Sequence, residues 1–181
     1  MEPSFPYSNF HLSYSEMYKS LNMSVPSVDN IALCLSRLLT QIVYSNKDKL
    51  SIESLFHSTK VPGISIQSYL RRQAMYSQCS PETFFLALIY IDRYLEKKPQ
   101  QFLVSRNVHK LFFVSLLVAA KFNEDLKLSN SDFAKLGGVD KYDLCLLEIH
   151  FLKSISFNVN VTLVEFVSYV KSVTEFGEYG E

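Results

Sequence analysis

Glycine is scarce in this chain of 181 residues. Only five occur, and none falls in a GxGxxG spacing or in GxxxxGK followed by Ser or Thr, so no loop is built to cradle a phosphate. Catalytic constellations are missing as well. The four histidines, His11, His57, His109 and His150, are scattered without an HExxH, and no serine sits in GxSxG. Cysteine is limited to Cys34, Cys79 and Cys145, far apart and without a CxxC. That excludes a zinc ribbon or a thioredoxin-like motif and suits reduced thiols in a cytoplasmic or nuclear setting. An excess of either charge is also absent: 18 basic residues balance 18 acidic ones, whereas a nucleic-acid module carries a clear basic surplus. No apolar run reaches the ~18 residues that a bilayer span requires. The N-terminus lacks the basic, apolar, small-residue order of a secretory leader, so the Asn22-Met23-Ser24 and Asn160-Val161-Thr162 sequons are expected to be accidental. No catalytic residue, cofactor, metal ion, nucleic-acid partner or membrane is expected.

What the sequence does have is helical pattern. Hydrophobic residues make up 48% and charged residues 20%, ordinary for a folded soluble domain long enough to bury a core. Residues 1–24 hold two prolines, many serines and tyrosines and no steady period, and are expected to form a flexible tail ahead of a single domain over 25–181. Ser27 can cap a helix over 28–44, in which Ile31, Leu35, Leu38, Leu39 and Ile42 keep helical spacing. After the break at Pro62-Gly63, ISIQSYLRRQAMY reads as a helix. Ser80 is expected to cap another helix, opened by Pro81 and Glu82, that runs towards Pro99. A short helix begins at Ser129 or Asn130 and stops at Gly137-Gly138. Asp140 then caps KYDLCLLEIHFLKSI. Thr162 and Glu165 suggest a capping box for a last helix over 163–174. No stretch alternates convincingly as a strand, so the fold class is all-α.

The segment from Asn107 to Phe122 is the most apolar. Its only polar stripe is Asn107, Lys110 and Lys121, and a helix that is apolar on the rest of its circumference belongs at the centre of a bundle. Leu111, Val114, Leu117 and Val118 should therefore be almost fully buried. On the helix from Leu144 to Ile155, Leu144, Leu147, Phe151, Leu152 and Ile155 share one broad arc. Glu148 falls inside it, and a carboxylate on an apolar face is costly unless something pairs with it. Lys121 and Glu148 suit an internal salt bridge or the rim of a partner site. The adjacent acids Glu124 and Asp125 read as a solvated loop.

IYIDRYL, LLVAAKFNED and LLEIHFLKSISFNV, in this order and at these separations, resemble the cyclin box over about residues 60–160. ISIQSYLRR, CSPETFFLALIYIDRYL and AKLGGVDKYDLCLLEIHFL are similar to the P-type and U-type branch, which includes phosphate-signalling members. The resemblance implies a five-helix box around a central apolar helix, with the 28–44 and 163–174 helices flanking it. It also implies a regulatory subunit without catalysis of its own, one that binds a cyclin-dependent protein kinase and sets the position of its C helix. On that pattern Lys121 and Glu148 make polar contacts with the kinase, while Phe122, Leu152 and Phe157 supply apolar ones.

The sequence departs from the family at PGISI. Gly63 stands where mitotic cyclins carry the arginine of their substrate-docking motif, so docking of leucine-bearing peptides near Pro62, Ile66 and Tyr69 is not expected. Asp92, which that arginine would pair with, is expected to turn to the free N–H groups that open the helix near Ser65. Two other classes remain alternatives: a cyclin-fold scaffold or transcription-related module without a kinase, and an enzyme or small-molecule binder with dispersed residues.

Overall fold

The computed structural model describes residues 26–125 and 129–179. They form α1 (Val28–Ser45), α2 (Ile66–Tyr76), α3 (Pro81–Lys97), α4 (Val108–Asn123), α5 (Asn130–Gly137), α6 (Lys141–Ser154) and α7 (Leu163–Tyr179), with no strand among the described residues. The tail expected over 1–24 lies outside them.

Local chemistry sets most helix ends. The Ser27 hydroxyl accepts the Asn30 N–H at 3.2 Å, and Ser65 accepts the Ser68 N–H at 3.1 Å. Ser129 and Asp132 form a reciprocal capping box on α5, and Asp140 accepts the Tyr142 N–H at the start of α6. Each satisfies an N–H that the first turn leaves without a helical partner. The two glycines that close α5 answer different demands. A Cβ on Gly137 would stand 2.2 Å from the Phe113 ring, so only glycine lets α5 lie this close to α4. Gly138 has a φ of 69°, the left-handed conformation of a helix C-cap that other residues adopt only under strain.

Two local expectations are corrected. The Ser80 hydroxyl faces the Thr83 hydroxyl instead of capping a backbone N–H. The last helix runs five residues beyond position 174, to Tyr179.

The apolar faces dictate the packing. Helix α4 touches α2, α3, α5 and α6, and every residue from Leu111 to Ala120 is buried. Leu111, Val114 and Leu117 are fully buried and Val118 retains 3% exposure. Helix α3 is buried almost as completely, from Glu82 to Ile91, and shares the centre with α4, its most extensive neighbour. Helix α1 packs on α2, α3 and α7, which places α1 and α7 together on one flank of the α2–α6 box. The stacked Tyr94 and Phe151 rings, with Phe56 edge-on to both, join α3, α6 and the loop after α1.

Long-range pairing differs from expectation at two acids. Asp92 accepts the Tyr169 hydroxyl from α7 at 2.9 Å, not an N–H of α2, whose opening is served by Ser65. Glu124 is not in a solvated loop. Its carboxylate accepts the Ser80 N–H at 2.7 Å and the Thr83 hydroxyl, capping α3 from the far end of α4. A negative charge there complements the positive end of the helix. Asp125 is exposed.

Candidate functional site

Helix α6 lies at the edge of the bundle, with an apolar inner face and a mixed outer one on which polar residues such as Asp143 and Lys153 alternate with apolar ones. Leu144, Leu147 and Phe151 turn inward. Leu146 at 45% and Ile149 at 50% exposure remain open to solvent. Leu152 is half-buried and packs against the core margin. Leu146 and Ile149 are apolar side chains left partly in solvent, next to the exposed Tyr142 and Lys153.

The boundary between the buried and exposed faces of α6 carries Glu148. Lys121, in the last turn of α4, reaches both of its carboxylate oxygens at 2.7 and 2.8 Å. The lysine side chain is 34% exposed and the glutamate 14%. The geometry makes the pair an ion pair and leaves it partly at the surface. Its partial exposure limits its worth to the fold to about 0–1 kcal/mol. Phe122, next in the chain, is 55% exposed.

Phe157 follows α6 in a turn of unusual backbone. Ser156 and Phe157 have φ of 56° and 54°, consecutive left-handed conformations that cost roughly 1–2 kcal/mol each for residues with a Cβ. The Phe157 N–H donates to the Leu152 carbonyl at 2.8 Å, which ties this residue to α6. Its ring is 62% exposed. Lys121, Phe122, Glu148, Leu152 and Phe157 thus fall into two linked groups: Lys121 with Phe122 on α4, and Glu148, Leu152 and Phe157 on α6 and its C-terminal turn. The Lys121–Glu148 bridge joins them.

Sequence reasoning missed several contributors. Ile149 was legible only as a generic helix residue, since periodicity does not say which apolar side of a helix lacks a neighbour, whereas Leu146 turns to another side of α6, beside Leu55, Lys110 and Val139. Tyr90 and Arg93, inside IYIDRYL, reach the backbone just after Phe157, and no local pattern signals so distant a contact. Tyr69 differs from a groove-lining residue. It is 6% exposed, its ring meets His109 edge-on, and its hydroxyl donates to the Gly137 carbonyl at 3.3 Å. The His109 ring nitrogen Nε2 pairs with the Ile64 carbonyl at 3.0 Å, and burial lowers the histidine's pKa. Tyr69 is therefore used for packing α2 onto α4 and α5.

Comparison with known proteins gives this arrangement its family. The cyclin family model matches residues 18–159. The chain belongs to the cyclin family. Cyclin-U4-2 of Arabidopsis thaliana is 37% identical over 150 residues, covering 80% of this chain and 69% of that protein. Cyclin-P3-1 of Oryza sativa subsp. japonica is 34% identical over 169 residues, covering 86% and 71%. Cyclin-U4-1 of Arabidopsis thaliana is 38% identical over 151 residues, covering 80% and 75%. In this cyclin, α2–α6 are the five helices of the box, α4 is its apolar centre, and α1 and α7 flank it. Like the family, it is a cyclin-type regulator. Among the described residues, no helix is long and apolar enough to cross a membrane.

Proposed function

We propose that this cyclin binds a cyclin-dependent protein kinase through the surface around Lys121 and Glu148, and activates it by holding the kinase C helix in its active position. A kinase is competent only when the C-helix glutamate pairs with the strand lysine that contacts the nucleotide phosphates. A rigid surface that grips the C helix therefore controls catalysis without supplying a reactive group. The single observation that supports this reading is the surface ion pair Lys121–Glu148, flanked by the exposed rings of Phe122 and Phe157 and the open side of Ile149.

Each part has a physical role in the proposal. The paired charges present a donor and an acceptor already fixed in place, so a kinase helix loses little entropy in meeting them. Phe122, Leu152 and Phe157 supply apolar area around that centre, and aromatic anchors of this kind commonly dominate binding energy. Affinity purification of the tagged chain from its own cells tests the reading. A cyclin-dependent kinase should co-purify, and its activity should rise when the purified chain is added. Recovery of no kinase, or of a kinase whose activity does not change, counts against it.

A further inference from the structure

The carbonyls of Asn158, Val159 and Asn160 follow the end of α6, where no helical ladder receives them. Two side chains one turn apart on α3 take all three. The Tyr90 hydroxyl donates to the Val159 carbonyl at 2.6 Å. The Arg93 guanidinium donates through Nη1 to Asn158 at 2.7 Å and through Nη2 to Asn160 at 3.0 Å. The same Nη2 meets both oxygens of Glu165 at 2.9 and 2.8 Å, in the first turn of α7. Helix α3, the turn after α6 and the start of α7 therefore meet at one guanidinium. Its side chain is only 13% exposed, and its planar fork reaches several acceptors at fixed angles, which a lysine ammonium on a flexible stem does not reproduce.

The backbone fastened in this way is the one that carries Phe157. Upstream, the Phe157 N–H is held by Leu152; downstream, the next three carbonyls are held by Tyr90 and Arg93. Between these fixings lie the two left-handed residues Ser156 and Phe157. The ring at the centre is mostly in solvent and does little to hold itself in place. Strained backbone held from both sides around an exposed aromatic ring is a device for presenting that ring.

We propose that Arg93, assisted by Tyr90, is the positioning residue of the Phe157 turn, and that Glu165 makes α7 part of the same device. Arg93 acts through Phe157 and touches no partner itself. The inference rests on the kinase-binding reading for its biological meaning, but the positioning is measurable without a partner.

Two variants test it. Arg93→Lys keeps the charge and loses the fork. Tyr90→Phe removes one hydroxyl and provides a milder change should the first fold poorly. In the free full-length chain, amide hydrogen exchange at Phe157 and Val159 should accelerate roughly tenfold or more in Arg93→Lys, while Leu117 at the centre of α4 keeps its wild-type rate. Against the cyclin-dependent kinase recovered with the chain, Arg93→Lys should weaken binding about tenfold, yet cost almost nothing further in a Phe157→Ala background, because coupled residues are non-additive. A purely structural arginine would cost the same in both backgrounds. Wild-type exchange at the Phe157 turn in both variants, or equal losses with and without the Phe157 ring, would overturn the proposal. Failure to recover any kinase defeats the functional reading alone, and the exchange rates then decide the positioning role by themselves.

Discussion

The carboxylate of Asp92 on α3 accepts the hydroxyl of Tyr169 on α7 across 2.9 Å, fastening the C-terminal helix one residue away from the Arg93–Glu165 contact. Burial is the main reason the Asp92 pKa is raised; the Tyr169 hydrogen bond opposes the shift and Glu96 adds to it. The phenol is raised as well, first by burial and then by the Asp92 charge.

A pH dependence follows from Asp92. Above the ordinary aspartate range the unfolded chain has given up this proton, while the folded chain still holds it for part of the interval. The folded state thus binds more protons, and stability falls as pH rises from the unfolded value through the raised folded value. Asp92→Asn keeps an acceptor for Tyr169 and removes the buried charge. Denaturant titrations should show it as stable as wild type or more so at pH 7, with a flatter profile as pH rises above the ordinary aspartate range. Tyr169→Phe should lose about 1–3 kcal/mol at neutral pH by stranding the carboxylate, and less at pH 4. Equal losses at both pH values would contradict this account.

Charge reversal separates the two roles of the bridge. Because the pair is part-exposed, Lys121→Glu should change the unfolding free energy by only about 1 kcal/mol, while kinase binding falls by about 2 kcal/mol or more. The double reversal Lys121→Glu with Glu148→Lys should restore the ion pair and stability, but not affinity. Full recovery of binding in the double variant would mean that the pair serves only the fold.

Leu117 has no exposed surface, and its helix touches all four other helices of the box. Leu117→Ala should therefore cost roughly 2–5 kcal/mol, measured by chemical denaturation with circular dichroism. A loss under 1 kcal/mol would show that α4 is not the packed centre.

Gln73 is fully buried, and among the described residues neither its Oε1 nor its Nε2 finds a hydrogen-bond partner. Removing a polar group in that condition avoids a desolvation cost of about 1–3 kcal/mol. Gln73→Met, nearly the same in shape, should raise the melting temperature. A lower value would indicate that the amide is satisfied in solution.

An Arg-x-Leu docking peptide titrated calorimetrically against the full chain should give no micromolar binding, since Tyr69 is engaged with His109 and Gly137. Binding that disappears in Ile66→Asp would identify a working groove there.

Much of this cyclin was determined by sequence alone, because the signals involved are local. Ser27, Ser129 and Asp140 cap the helices that follow them through contacts within three residues. The apolar circumference of Leu111–Ala120 required a central helix before any neighbour was known, and Glu148 on an apolar arc required a cationic partner such as Lys121. Tertiary structure decided the rest. Asp92 finds Tyr169 77 residues away, Glu124 caps a helix that begins more than 40 residues earlier, and Arg93 reaches carbonyls 65 and 67 residues on. A carboxylate or guanidinium needs a partner, but periodicity and capping rules extend only a turn or two along the chain. Which partner is met depends on how α3, α4 and α7 cross, and that is set by the fit of side chains such as Phe84 against Phe112 and Phe85 against Phe166.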